Sequence, residues 1–124
     1  MFEPKWKLWL EKGGQPFFGA GRAKLLQEID RTGSLSKAAR AMKMSYRTAW
    51  ENINQMEDAY GQPLVDRQTG GSGGGGCSLT PQAHRLLAAF LAFTDRLEET
   101  RDQLFAEMLE EISGEEPGEE STES

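Results

Sequence analysis

The sequence predicts a mainly α chain with a small β component, and three observations predict it. Two amphipathic segments lie back to back over residues 34–60 with only a short break between them. Two short, partly apolar runs flank the stretch GGSGGGG at 70–76. An apolar stripe at helical spacing runs from residue 81 to about 112. Whether the glycines are a linker between two bodies or a working part of one fold decides how the chain is organised.

The totals set the frame. The 124 residues are one ordinary domain's worth, enough to bury a modest core, more so in a dimer. With 37% hydrophobic and 27% charged residues, the chain should fold. A single cysteine, Cys77, allows no disulfide within one chain, so nothing points to secretion. The N-terminal stretch MFEPKWKLWLEK has no long apolar run and no small-residue cleavage site, so neither a signal peptide nor a membrane span is expected, and a cytoplasmic location is. The net charge of −6 hides an asymmetry. Residues 1–85 hold 12 Lys/Arg against 8 Asp/Glu, whereas residues 86–124 hold 2 against 12. A polyanionic partner is therefore expected on the mildly basic first 85 residues.

The elements follow in order. In KWKLWLE (5–11), Trp6, Leu8 and Leu10 alternate with Lys5, Lys7 and Glu11, the pattern of a strand. KGGQ (12–15) turns the chain, and Pro16-Phe17-Phe18 returns it as a hairpin. Over 20–32 the period changes: Ala23 (or Arg22), Leu25, Leu26 and Ile29 recur at helical spacing, and Gly33 stops the helix. Ser34 caps a second helix with Leu35, Ala38, Ala39 and Met42 on one face, where the paired alanines admit a closely crossing helix. After a turn at Lys43-Met44, Ser45 caps a third helix. Tyr46, Ala49, Trp50, Ile53, Met56 and Tyr60 line one side of it. Arg47, Thr48, Glu51, Asn52, Asn54 and Gln55 line the other, and Gly61 with Pro63 ends it.

Two helices joined this tightly make a helix-turn-helix. Leu64–Arg67 and Cys77–Thr80 then read as the strands of a second hairpin with the glycines at its tip. A helix-turn-helix followed by a hairpin is a winged helix, and the glycines become the tip of the wing. Thr80-Pro81 opens the last helix, with Thr at the cap and Pro at the first position. Its stripe of Leu86, Phe90, Phe93, Leu97, Leu104 and Met108 approximates a heptad seam, with Thr100 in the skipped slot. So long an apolar stripe outlasts the small domain before it, and a second chain is its natural cover. The expected organisation is a winged domain with its N-terminal hairpin over 1–80, a dimerisation helix over 81–112 and an acidic, disordered tail over 113–124.

The stretch GSLSKAARAMKMSYRTAWENINQME, followed by PLVDRQTGGSGGGGCSLT, resembles the DNA-binding domain of the ModE family of molybdate-responsive transcription regulators. It is similar, more distantly, to the LysR-type winged helix through AARAMKMS and YGQPLVDR. The resemblance covers roughly residues 20–95, and SYRTAW with TGGSGGGG is specific only as a pair. It implies a homodimer that binds a palindromic site in double-stranded DNA, with the long terminal helix in the dimer interface. Full regulators of the ModE family carry a C-terminal molybdate-binding module, and the expectation here is a chain without one.

Roles follow for individual residues. At the start of the third helix, Arg47, Thr48, Glu51 and Asn52 are candidates for base contacts, since that is the end of such a helix that reads a major groove. Arg47 suits guanine and Asn52 adenine; Thr48 suits a base edge or a thymine methyl. Glu51 either accepts from cytosine or only orients Arg47. Ser36, Lys37, Lys43, Ser45 and Tyr46 are phosphate candidates around the two helix starts. Ser45 either caps only or does both. Arg67 either meets a phosphate or pairs with Asp66. The wing residues Gly70, Gly71, Ser72, Gly73, Gly74, Gly75 and Gly76 let the backbone approach closely, lacking Cβ at six of seven positions. Trp6, Trp9, Trp50, Phe17 and Phe18 are expected in the core, His84 on a helix surface, and Cys77 as a packed thiol.

No enzyme is expected. There is no nucleophile motif and no metal-ligand cluster, and GGSGGGG lacks the Lys-Ser/Thr of a phosphate-binding loop. No cofactor and no membrane partner are expected. Two alternatives stay open: a winged module that hetero-dimerises with a relative, and a sensor of molybdate, tungstate or another oxyanion, for which no cluster of donors marks a site.

Overall fold

The computed structural model describes residues 1–68 and 76–114, and its order of elements is ββαααββα. β1 (Trp9–Lys12) and β2 (Gln15–Gly19) form the first hairpin. Three helices follow: α1 (Ala20–Thr32), α2 (Leu35–Ala41) and α3 (Tyr46–Tyr60). β3 (Val65–Gln68) pairs antiparallel with β4 (Gly76–Leu79), and α4 (Pro81–Ser113) ends the described chain. The fold is mainly α with two separate two-stranded sheets, a winged helix-turn-helix with a long C-terminal helix. The expected wing tip, Gly70–Gly75 with Ser72, lies outside the described residues, as does the expected tail beyond Gly114; Gly76 is the first residue of β4, opposite Gln68.

Two compact bodies divide the chain. One is Lys7–Phe90; the other joins Met1–Trp6 with the described residues from Leu91 to Gly114. The first turns of α4 contribute Ala83, Leu87 and Phe90 to the core of Lys7–Phe90, the winged body. That core also takes Phe18 from β2, Leu25, Leu26 and Ile29 from α1, Ala38 and Ala39 from α2, and Ala49, Ile53 and Met56 from α3. Phe90 meets Phe18 edge-on, with ring centroids 4.9 Å apart. Burying side chains of this size contributes about 1.5–3 kcal/mol each before chain entropy is counted.

Local chemistry sets the ends of the elements. Gly33 takes φ 68°, and its N–H reaches the Ile29 carbonyl at 2.8 Å, closing α1 in a conformation that suits glycine. The Ser34 hydroxyl accepts from the Lys37 N–H, and the Ser45 hydroxyl from the Thr48 N–H, so both helices of the pair are capped from their own sequence. The Thr80 hydroxyl does double duty. It accepts from the Ala83 N–H at the start of α4 and donates to the Pro63 carbonyl, tying α4 to the entry of the wing.

The first hairpin is shorter than the alternation over 5–11 predicts. Trp9 is paired with Gly19, and the chain turns into α1 at Ala20, so residues 5–8 have no strand to pair with. The close approach there favours Gly19, since a Cβ on it would lie 3.1 Å from the Cβ of Trp9 and push it by a few tenths of an ångström. Trp6 and Trp9 are about half exposed, not core. The outward register of β1 accounts for Trp9, whose indole N–H donates to Glu11 at 2.8 Å. Trp6 lies in the other body, under the Arg101 guanidinium at 5.1 Å. Phe18 is fully buried as expected, and Phe17 is half-buried and stacked on Tyr60.

Candidate nucleic-acid interface

The turn between α2 and α3 is built on a strained residue. Met42 closes α2, Lys43 takes φ 59°, and the Met44 N–H returns to the Ala39 carbonyl at 3.0 Å. Lys43 is the only non-glycine with positive φ among the described residues. Its left-handed backbone lets α3 start with only four residues between it and α2, and its side chain is exposed.

α3 then divides into two faces. Ala49, Ile53 and Met56 pack inward, which leaves Ser45, Tyr46, Arg47, Thr48 and Glu51 exposed over the first turns. The Arg47 side chain is 88% accessible, and its Nε lies 3.3 Å from Glu51 Oε2. That spacing is a loose surface pair, of the kind that contributes little to stability. It keeps the guanidinium and carboxylate side by side without removing either from solvent. The Ser45 hydroxyl donates to the Thr48 hydroxyl at 3.0 Å, so the cap also orients Thr48. Ser36 and Lys37 are exposed on α2.

Asn52 sits differently. Its Oδ1 accepts from Arg22 Nε at 2.9 Å, and its Nδ2 donates to the Thr48 carbonyl at 2.9 Å. Both ends of the amide are occupied within the protein. Arg22, on α1, is half-buried. It also donates to the Pro16 and Phe17 carbonyls of β2 and to Gln55 Oε1 of α3. Burial lowers its pKa, yet an arginine stays charged. Arg22 thereby fastens the middle of α3 to the first hairpin. The sequence placed it only as an alternative to Ala23 on the inner face of α1, because partners some thirty residues away leave no local pattern.

The root of the wing is held by two further residues that sequence reading did not single out for it. Glu57 Oε2 accepts from the Leu64 and Val65 N–H groups at 2.8 and 3.2 Å, which anchors the start of β3 on the C-terminal part of α3. Trp50, expected in the core, is half-buried on α3. The Arg67 guanidinium of β3 lies over its ring, 3.8 Å from the centroid. Tyr46 meets the same indole edge-on, at 6.2 Å. No ion pair joins Arg67 to Asp66 among the described residues. Cys77, opposite Arg67 in the ladder, is buried, and burial pushes its thiol up against the opposing pull of the Arg67 charge. A thiol held protonated in this way reacts slowly.

On α4, Phe90 is enclosed in the winged body and not on the expected seam. Leu86 and Leu97 are half-buried. Phe93, Leu104, Met108 and Ile112 are exposed, between 46% and 65%. His84 Nε2 lies 3.8 Å from Asp30 on the surface. Among the described residues no group of three or more His, Cys, Asp or Glu is placed to hold a metal ion, and no helix is long and apolar enough to cross a membrane.

Comparison with known proteins supplies the remaining findings. Residues 21–84 match the family model described as bacterial regulatory helix-turn-helix protein, lysR family. The chain is 40% identical over 89 residues to the transcriptional regulator ModE of Haemophilus influenzae, covering 72% of this chain and 33% of that protein. It is 38% identical over 93 residues to the molybdenum transport protein ModE of Azotobacter vinelandii, covering 75% and 34%. The chain spans about a third of the length of these curated relatives. A solved CbnR_DBD–DNA complex shares the fold at a TM-score of 0.55 and 19% identity, over 70% of this chain and 95% of that one.

Proposed function

Because the chain belongs to the bacterial regulatory helix-turn-helix proteins of the lysR family, we propose that it regulates transcription by binding double-stranded DNA sequence-specifically as a homodimer. The observation that carries this reading is the free start of α3. Arg47, Thr48 and Glu51 stand exposed on a capped helix directly after a tight turn, with the donors and acceptors that base edges require. α3 enters the major groove. Arg47 makes the bidentate contact to guanine, Thr48 meets a base edge or a thymine methyl, and Glu51 either accepts from cytosine or steers Arg47. Asn52 reads a base only by leaving both its internal partners. Ser36, Lys37, Lys43, Ser45, Tyr46 and Arg67 meet phosphates on either side, and the wing glycines follow the neighbouring backbone.

The exposed apolar row Phe93, Leu104, Met108 and Ile112 supports a second copy as the partner of α4. Two-fold pairing then puts two α3 helices on half-sites about one turn of DNA apart, roughly 34 Å. The similar ModE proteins, one of them named a transcriptional regulator, support the same reading. The row on α4 also favours a second reading, a module that hetero-dimerises with a relative. Duplex retardation by the purified chain alone separates the two. Within the first reading, Arg47→Ala is expected to weaken binding by about 1–3 kcal/mol and relax the preference at one base position. Unchanged affinity together with an unchanged preference would remove Arg47 from the groove.

A further inference from the structure

We propose that Trp50 is a positioning residue whose indole seats the Arg67 guanidinium as a phosphate-binding group at the root of the wing. The inference deepens the DNA-binding reading and rests on it.

Trp50 lies at the border of α3, between the buried row of Ala49, Ile53 and Met56 and the exposed pair Arg47 and Glu51. A tryptophan there is too exposed to serve the core alone. Its ring faces the Arg67 guanidinium at 3.8 Å, and Tyr46 meets the same indole edge-on, with ring centroids 6.2 Å apart. Trp50 thus touches both Tyr46, the first residue of α3, and Arg67 of β3. Face contact with a ring uses the flat side of a guanidinium and leaves its N–H groups, which lie in the plane, free for acceptors. Among the described residues those N–H groups take no hydrogen bond and no carboxylate lies within 4.0 Å. Among the described residues Arg67 is therefore held by the indole without being neutralised.

That combination suits a phosphate. A free arginine loses much rotamer freedom when it grips an anion, and the stack has already restricted it. Position favours the backbone over a base. Arg67 stands beside the groove-entering residues of α3 and not among them, where the wall of a groove is phosphate. The stack also couples two elements. Glu57 anchors the backbone of β3 to α3, and Trp50 anchors its charge, so helix and wing present their cations as one unit.

The test is a double-mutant cycle on the full chain, read by binding to a random-sequence duplex across a salt series. Arg67→Ala is expected to lower the slope of log affinity against log salt by about 0.9, the loss of one phosphate contact. Trp50→Leu is expected to weaken binding roughly three- to tenfold with a similar fall in slope, whereas Trp50→Phe retains most of the affinity. In the Arg67→Ala background, Trp50→Leu is expected to add nothing. In the free protein, the Arg67 side-chain proton resonances are expected upfield from the indole ring current, and to lose that shift in Trp50→Leu. Additive losses, an unchanged salt slope in Trp50→Leu, or a Phe variant as weak as Leu would overturn the positioning role alone. Wild-type chain that retains no duplex at low salt would overturn the DNA-binding reading itself.

Discussion

Lys43 holds a left-handed backbone at the corner between α2 and α3, a conformation that costs a residue with a Cβ about 1–2 kcal/mol. Glycine would hold the corner with less strain, so the lysine side chain needs another justification, and the phosphate contact proposed for it would supply one. Lys43→Gly is expected to raise the unfolding free energy from a urea melt modestly, by up to about 1 kcal/mol, while lowering the salt slope of duplex binding by about 1. A stabilised variant with unaltered binding would reduce Lys43 to a turn residue. Asn52 argues the other way. Its amide is already spanned between Arg22 and the Thr48 carbonyl. Asn52→Ala leaves a half-buried Arg22 donor without its acceptor, and a stability loss of roughly 1–3 kcal/mol in a urea melt is expected. Base preference should move less than in Arg47→Ala. Unchanged stability with a lost adenine preference would restore Asn52 to the reading face.

At the scale of elements, the helix boundaries were legible wherever a residue closes or opens a helix by its own chemistry. Gly33, Ser34, Ser45, Gly61 and Thr80 each act within three or four residues of themselves, so their patterns are local. What could not be read was contact across distance. The Arg22 bridge, the Glu57 grip on β3 and the Trp50–Arg67 stack join elements 7 to 33 residues apart. The strand over 5–11 was overread because alternation in one strand says nothing of how long its partner runs, and β2 ends at Gly19. Within α1, the Glu28 carboxylate accepts from Arg31 at 2.6 and 2.9 Å and lies 3.6 Å from Lys24. Chiefly through the Arg31 bonds, its pKa is held below the usual carboxylate value. A depressed folded pKa makes the contribution full above the unfolded value, about 4.3, and removes it as pH falls through the folded one. The difference in urea midpoint between the wild type and Glu28→Gln should therefore stay constant from about pH 7 to pH 5 and shrink in more acid solution. A difference that persists undiminished at the lowest pH at which the chain still folds would contradict the assignment.

At the scale of the whole chain, charge and apolar surface are divided along the sequence. The basic excess lies in residues 1–85 and the acidic excess beyond, where α4 leaves Phe93, Leu104, Met108 and Ile112 exposed. An acidic segment is poorly suited to DNA, and an exposed apolar row is poorly suited to water. The proposed pairing with a second copy would answer both, covering the row and leaving the basic residues for the duplex. Replacing Leu104 and Met108 together by Glu is expected to shift sedimentation from dimer toward monomer and to weaken binding to a two-half-site duplex far more than to a single half-site. Equal losses on both duplexes would mean that α4 does not pair the subunits. The central claim, a dimer that reads sequence through the start of α3, is tested most directly by selecting bound duplexes from a random pool with the purified chain at physiological salt. The account predicts a palindromic consensus whose half-sites lie about one helical turn apart, with a guanine position that loses its preference in Arg47→Ala. Retention without enrichment of any sequence would contradict it.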